Sequence, residues 1–369
     1  MAHEIKTAIG LMSGTSMDGI DVALVKTDGL RHVDCGPAAS YPFEAAESQR
    51  IAACLAEAVF ITQRDARPGD LGGVEALITA KHGEAVQRFL SDNQLRASDI
   101  DVIGFHGQTV LHRPEQALTV QLGDGQALAN RLGIDVVYDM RANDMANGGQ
   151  GAPLVPVFHQ AIAPDNQTVA FVNIGGIANV TFVQPEAAPI AFDCGPGNAL
   201  IDQWMQRHTN RSFDEGGALA LSGMAHDAVV EAALDLPFFQ RGYPKSLDRN
   251  DFDLSMMPIM AAEDGAATLA KLTALAITRA AETAGVAPTK WIIAGGGAHN
   301  RAILGFLREA RPGADIITAD EGGYSIDDME AQAWAYLAVR SLRGLALTFP
   351  STTGCVEPVT GGVLAQPRH

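Results

Sequence analysis

Ile-Gly-Leu-Met-Ser-Gly-Thr-Ser-Met-Asp-Gly-Ile-Asp, residues 9–21, is the stretch from which the fold is read. An apolar run (Ala8, Ile9, Leu11, Met12) enters it, and a second, Val22–Val25, leaves it. Two apolar runs joined by small and hydroxyl residues predict a β-hairpin that turns at Ser13-Gly14-Thr15-Ser16. Gly14 and Gly19 allow backbone to approach a ligand closely. Successive N–H groups in such a turn form a nest for anions, and Ser13, Thr15 and Ser16 add hydroxyl donors. Asp18 and Asp21 have the wrong sign for phosphate and suit Mg2+, directly or through water. The stretch fits a turn that holds a nucleotide phosphate with its metal. It also fits an ordinary glycine-rich hairpin.

Outward from the hairpin, strands and helices alternate. His32–Phe43 reads as a third strand, interrupted by Gly36 and Pro37, and Ala45–Val59 as an alanine-rich helix. Leu71, Val74, Ile78, Ala85 and Phe89 repeat at helical spacing across Asp70–Asn93. Ile100–Phe105 is a buried-type strand ending in His106-Gly107-Gln108-Thr109. Thr119–Leu122 and Ile134–Tyr138 are further strands, with a helix over Gln126–Leu132 between them. The order predicts an α/β layer architecture. Gly148-Gly149-Gln150-Gly151-Ala152-Pro153 marks a crossing between domains.

The pattern then recurs. Thr168–Ile174 and Ala178–Val183 are strands joined at Gly175-Gly176, and Ile190–Phe192 is a third, ending in Asp193-Cys194-Gly195-Pro196-Gly197-Asn198. A helix follows with Leu200, Ile201, Trp204 and Met205 on its buried side. Another spans Ala266–Ala284. Trp291–Ala294 is a strand running into Gly295-Gly296-Gly297-Ala298-His299-Asn300, then a helix from Arg301 and a strand at Asp315–Thr318. In the last long helix Ser325 is the expected cap, Asp327 and Asp328 lie in the first turn, and Ile326, Met329, Ala333 and Leu337 form the apolar stripe. Arg340 and Arg343 stand at its C-terminal end and Gly344 closes it. Two hairpin-led α/β halves predict a duplicated fold with a cleft between the halves.

Composition narrows the partners. A chain of 369 residues with 47% hydrophobic and 19% charged residues has the length for two domains and the apolar content for real cores. A net charge of −17 disfavours nucleic acid and anionic membranes as partners. The N-terminal Met-Ala-His-Glu-Ile-Lys has no secretory pattern, and no apolar run approaches transmembrane length. Cys35, Cys54, Cys194 and Cys355 are scattered, which suits a reducing cytoplasm and neither a zinc site nor a disulfide framework.

Three glycine-rich turns each follow a strand: Ser13–Gly19, Asp193–Asn198 and Gly295–Asn300. The G-x-x-x-x-G-K-[ST] loop is absent, as is a G-x-G-x-x-G after a strand with its partner acid. Two phosphate turns plus a third for adenosine make a nucleotide site of another type. Asp193 ends an apolar strand and opens one of these turns, which suits a general base or a metal ligand. A helix-capping Asp is the alternative, but Asn198 is better placed for that cap. Glu330 is either solvated or functional. His106, with Gln108 and Thr109, either binds a polar ligand or is a satisfied core residue. Asp139-Met140-Arg141 is an ion pair or an anion contact. Lys245, beside Arg249, meets a substrate carboxylate or pairs with Asp251 and Asp253.

These segments resemble the anhydro-N-acetylmuramic acid kinase family. The resemblance rests on residues 10–21, Phe-His-Gly-Gln-Thr-Val (105–110), Gly-Gly-Gln-Gly-Ala-Pro-Leu-Val-Pro (148–156) and Asn-Ile-Gly-Gly-Ile-Ala-Asn (173–179). It continues through Asp-Cys-Gly-Pro-Gly-Asn (193–198), Pro-Lys-Ser (244–246), Gly-Gly-Gly-Ala-His-Asn (295–300) and Asp-Asp-Met-Glu-Ala (327–331). It implies a duplicated actin-like ATPase, ribonuclease H-like α/β fold, with two lobes around a central nucleotide cleft. The lobes implied are 1–145 with 349–369, and 146–348. It also implies ATP, Mg2+, a cytoplasmic homodimer, and opening of 1,6-anhydro-N-acetylmuramic acid by water with phosphorylation at O6. Asp193 matches the family's catalytic base. The implied ATP contacts are Gly14, Thr15, Ser16, Met17, Asp18, Gly19, Ile20, Asp21, Gly175, Gly195, Gly197, Asn198, Gly295, Gly296, Gly297 and Asn300. The implied substrate contacts are His106, Gln108, Thr109, Arg141, Gln150 and Glu330, with Asp18 and Asp21 toward Mg2+. Cys194 replaces a usual threonine, and Ala142-Asn143 replaces a common basic pair.

Overall fold

The computed structural model describes residues 4–14, 16–247, 251–325 and 328–368. Thr15, Arg249, Ile326 and Asp327, all named above, lie outside the described residues. The chain divides into two compact units, Met1–Ile162 with Asp327–His369, and Ala163–Ile326. These boundaries differ from the breaks expected at 145/146 and 348/349. The physical reason is the helix Met329–Leu342, which packs on the sheet of the first unit. The helix Pro156–Ile162 also packs against it.

The first unit is built on the predicted hairpin. Strands β1 (Lys6–Ser13) and β2 (Gly19–Thr27) are antiparallel, with Met12 opposite Asp21. β3 (Val33–Pro42) continues the meander antiparallel to β2. β4 (Val102–Arg113) lies parallel to β1, β5 (Leu118–Leu122) folds back on β4, and β6 (Val136–Tyr138) is parallel to β4. The order is β6-β4-β1-β2-β3, with Val363–Ala365 antiparallel outside β6. Apolar residues on both faces of β1 and β2 fit a sheet covered on both sides. On one face the helices Ala45–Ala58 and Leu71–Asp92 bring Ile51, Val74, Ile78 and Phe89 onto Ile9, Leu11, Val22 and Phe105. The other face carries Met329–Leu342.

That last helix departs from the expected stripe. Its N-cap position is Asp328, so it begins later than a Ser325 cap would set. Almost its whole surface is buried, including Trp334, Tyr336 and Val339. Arg340 is buried too. It donates to the carbonyls of Gly29 (2.9 Å) and Ala346 (2.8 Å), and so braces the loops around it rather than only facing the helix dipole.

The second unit repeats the same topology. Its strands are β7 (Val169–Ile174), β8 (Ile177–Val183), β9 (Ile190–Pro196), β10 (Lys290–Ala294) and β11 (Asp315–Thr318). The order β11-β10-β7-β8-β9 has an antiparallel meander followed by two parallel strands, as in the first sheet. The duplicated ribonuclease H-like α/β arrangement is therefore the fold. Its core gathers Phe182, Phe192, Trp204 and Trp291 beneath the helices Asn198–Thr209, Ala262–Ala284 and Arg301–Ala310. Leu200, Ile201, Trp204 and Met205 are buried as the periodicity predicts.

Two strands run further than expected. β4 continues from Phe105 to Arg113 because it pairs with β5, and β9 continues from Phe192 to Pro196 because it pairs with β8. His106, Gln108, Thr109 and Asp193 consequently stand within strands, not at their ends.

Candidate functional site

In the first unit the turn after β1 is held from behind. Gln108 is fully buried and its Nε2 donates to the Gly14 carbonyl (2.9 Å). Ser13 Oγ donates to the Gly107 carbonyl (3.0 Å), so that hydroxyl is occupied by protein. Met17 N–H donates to the Gly14 carbonyl (3.2 Å), and Met17 adopts φ +55°. Asp18 accepts from Ser16 Oγ (2.7 Å), and its carbonyl takes the Phe43 N–H. Gly19 is needed for space, since a Cβ there would lie 2.8 Å from the Tyr41 carbonyl oxygen. At Gly14 a Cβ would make only an ordinary contact, 3.4 Å from Ser16 Oγ. Ile20 is buried beneath it.

β4 and the segment after β6 bring His106 and Arg141 together. Arg141 Nη2 lies 3.0 Å from His106 Nε2, and Nη1 donates to the Gly151 carbonyl (2.8 Å). A guanidinium only donates, so Nε2 accepts and the ring proton sits on Nδ1. Burial pushes the His106 pKa far down, and Arg141 and His82 push it further, so the ring is neutral. Both groups lie against Trp334: the His106 ring centroid is 4.6 Å from it, and the guanidinium 5.4 Å. Burial lowers Arg141 to about 10 while Glu330 and Asp144 hold it up, which leaves it charged at neutral pH. Thr109 Oγ1 lies 3.5 Å from His106 Nε2. Asp139 pairs with Arg64 and not with Arg141. A cavity of about 220 Å³ beside His106 is lined by Arg64, Arg67, Gln121, Tyr138 and Asp139.

Two acids complete this region. Glu330, second in its helix, has an exposed side chain. Desolvation pushes its carboxyl up, Arg141 pulls it down and Asp21 pushes it up again, all screened by water. Asp21 itself accepts from Ser40 Oγ (2.5 Å). Asp144 was not singled out in the sequence, yet it is buried and accepts three hydrogen bonds. These come from Thr348 Oγ1 (2.5 Å), Thr353 Oγ1 (2.6 Å) and Gly151 N–H (2.7 Å). It thereby fixes the Gly148–Pro153 segment. Gln150 lies in that segment, its N–H on the Thr353 carbonyl (2.8 Å).

In the second unit Asp193 is half-buried on β9. Its Oδ2 accepts from Leu247 N–H (2.8 Å), and its own N–H donates to the Lys245 carbonyl (3.0 Å). Burial pushes its carboxyl up to about 6, and the Leu247 hydrogen bond opposes that rise. Lys245 does not face Asp193. Its Nζ donates to the carbonyls of Phe238 (3.3 Å) and Arg241 (3.2 Å) and lies over the Phe238 ring at 4.5 Å. The next residue, Cys194, points into the core, and burial holds its thiol protonated.

The glycine turns of this unit interlock. Gly197 N–H and Ala199 N–H donate to the Gly176 carbonyl and Asn198 N–H to the Gly175 carbonyl. Asn198 Nδ2 donates to the Ile174 carbonyl (2.9 Å). Asn198 is thus the first helical residue after a Gly197 N-cap, and not the cap expected of it. The amides of Gly197 and Asn198 are spent on the β7–β8 turn. That turn is open: a Cβ at Gly175 or Gly176 would meet nothing nearer than 3.6 Å. It occupies in the second sheet the position that Gly14–Asp18 occupies in the first. Gly195, on β9, is buried against Ala276 and Phe239. Gly295 (φ +77°) and Gly297 pack on β7, where a Cβ would lie 2.3 Å from Asn173 Oδ1 and from Ile174 Cγ2 respectively. Asn300 caps the helix Arg301–Ala310 by accepting from Ala302 and Ile303 N–H. A cavity of about 370 Å³ opens there, lined by Asn198, Asp202, Phe213, Gly296, His299 and Asn300.

Asp18 and Asp21 are oxygen donors suited to Mg2+. Among the described residues no group of three His, Cys, Asp or Glu side chains is arranged to hold a metal. An ion held by these two carboxylates would need its remaining ligands from phosphate and water.

A family model described as anhydro-N-acetylmuramic acid kinase matches residues 6–367. A protein of that name from Agrobacterium fabrum (strain C58 / ATCC 33970) is 51% identical over 370 residues, covering 98% of this chain and 99% of its own. One from Rhizobium etli is 48% identical over 367 residues, with 98% and 99% covered. Among solved structures, component A of (R)-2-hydroxyglutaryl-CoA dehydratase from Acidaminococcus fermentans aligns with a TM-score of 0.46 at 12% identity, over 92% of this chain and 99% of its own.

Proposed function

We infer the activity from a premise: the chain belongs to the anhydro-N-acetylmuramic acid kinase family. It is an ATP-dependent kinase that opens the 1,6-anhydro bridge of anhydro-N-acetylmuramic acid with water and leaves phosphate on O6. The observation that carries the mechanism is the Asp193 carboxyl. It is half-buried, accepts the Leu247 N–H on Oδ2, and is pushed up to about 6. Such a group is ionised at neutral pH and basic enough to accept a proton from water.

Asp193 takes that proton as the water oxygen bonds to the anomeric carbon. The bond from that carbon to O6 breaks, and its electron pair stays on O6. O6 then bonds to the γ-phosphorus of ATP, and the β–γ bridging oxygen leaves with ADP. In the first unit, Gly14, Ser16, Met17, Asp18 and Gly19 are assigned to phosphate, and His106, Thr109, Arg141, Gln150 and Glu330 to the sugar. Gln108 serves by holding the turn. In the second unit, Gly175-Gly176 supplies the other phosphate turn in place of the expected Gly195–Asn198. The cavity beside Gly296 and Asn300 takes adenosine. Mg2+, when bound at Asp18 and Asp21, offsets charge on the transferring group. The cytoplasm is the compartment, the sugar is a product of cell-wall turnover, and the chain works as a homodimer. No described helix is long and apolar enough to cross a membrane.

ADP release tests this reading, measured with the anhydro sugar beside its open-ring counterpart. Turnover of the anhydro sugar alone is expected. Equal turnover of the open ring points to a plain amino-sugar kinase, in which Asp193 deprotonates a hydroxyl instead.

A further inference from the structure

The segment Lys245–Leu247 runs beside β9 and grips Asp193 from two sides. The Lys245 carbonyl accepts the Asp193 N–H (3.0 Å), and the Leu247 N–H is donated to Asp193 Oδ2 (2.8 Å). Both are backbone contacts, so they depend on where the segment is anchored. The Lys245 side chain anchors it: it is 9% exposed, donates to the Phe238 and Arg241 carbonyls, and lies over Phe238 and Phe192. Burying an ammonium is costly unless such partners compensate it. A lysine turned away from the acid and held by carbonyls is a strut, not a substrate contact.

We propose that Lys245 is a positioning residue, which by tethering the 245–247 segment to the Phe238–Arg241 turn keeps the Leu247 N–H on Asp193 Oδ2 and so sets the orientation and basicity of that carboxylate. The inference rests on Asp193 being the base, but its effect on the carboxyl is read without turnover. Among the described residues, the charged and titratable groups nearby are Cys194, Lys245, Arg241 and Arg279. The Lys245 ammonium is not among the main influences on Asp193, which are burial and the Leu247 N–H. A change at position 245 therefore reaches Asp193 through the backbone.

The test is a carboxyl titration by 13C NMR of aspartate-labelled protein, with the Asp193 signal assigned by its loss in Asp193→Asn. The wild-type carboxyl, pushed up by burial, is expected to titrate near pH 6. Lys245→Met removes both anchoring bonds at similar volume. Losing the Leu247 N–H moves the midpoint up by about one pH unit. Lys245→Arg, which can still reach the carbonyls, stays near wild type. A Lys245→Met midpoint equal to wild type, or below it, overturns the proposal. A second measurement needs no variant: the Leu247 amide proton shift follows the Asp193 titration with the same midpoint. A Leu247 shift that is flat through that range also overturns it. Absence of kinase activity with these titrations intact contradicts the proposed reaction and leaves the strut in place.

Discussion

Gly10 of β1 and Gly104 of β4 are register partners on adjacent parallel strands, and the helix Met329–Leu342 rests on both. A Cβ at Gly10 would lie 1.7 Å from the Ala331 carbonyl oxygen, and one at Gly104 2.0 Å from that of Trp334. Both obstacles are backbone and cannot swing aside. The pair lets the helix lie directly on the sheet, which carries Trp334 to His106 and Arg141. Gly104→Ala should cost about 3 kcal/mol, the upper range for an overpacked core. Urea unfolding measures it, and a loss below about 0.5 kcal/mol contradicts the contact.

Asp193 gives the pH dependence a sign. Burial lets the folded protein hold that proton to about pH 6, whereas the unfolded chain releases it near the ordinary aspartate value of 3.8. Stability therefore falls as pH rises between those values and stays lower above them. Asp193→Asn should be more stable than wild type at pH 8, with the advantage vanishing below pH 4. The kcat/KM profile of the wild type should fall on the acid side with an apparent pKa near 6. Thermal melts across pH and initial rates check the two statements separately.

Asp144 ties three donors to one buried carboxylate, and through Gly151 it steadies Arg141. Asp144→Ala leaves the hydroxyls of Thr348 and Thr353 and the Gly151 N–H without that partner. A loss of roughly 3 kcal/mol is expected from such orphaned groups. The KM for sugar should rise while that for ATP holds. Chemical denaturation and steady-state rates measure both.

Phe213 is 56% exposed at the rim of the cavity beside Gly296 and Asn300. On the proposed placement of adenosine in that cavity, this ring would be the one to stack on the purine. Phe213→Ala should raise the KM for ATP by about tenfold, the equivalent of one stacking contact. The sugar KM should not change. An unchanged ATP KM places the base elsewhere.

Much of this was legible in the sequence. Both hairpins were, because paired apolar runs around glycine turns are a local signal, as was the buried face of Leu200–Met205. The extensions of β4 and β9 were not. They carry polar residues, His106, Gln108 and Asp193, into strands whose partners are set by tertiary pairing with β5 and β8. The single stripe read for Met329–Leu342 missed a helix covered nearly all round, because its covering depends on Gly10 and Gly104 far away in the chain. Asp144 carried little local sign, since two of its three donors, Thr348 and Thr353, come from the other end of the unit. Lys245 drew notice as a rare cation, yet its partners are carbonyls, which composition does not show.

Oxygen tracing tests the central claim most directly. Turnover of anhydro-N-acetylmuramic acid in 18O-water should place one heavy oxygen at C1 and none in the phosphate, read before the anomeric oxygen of preformed product exchanges with solvent. Asp193→Asn should slow that incorporation by roughly 10²–10⁴-fold. Product with unlabelled C1, or label in the phosphate, would contradict a water attack at the anomeric carbon.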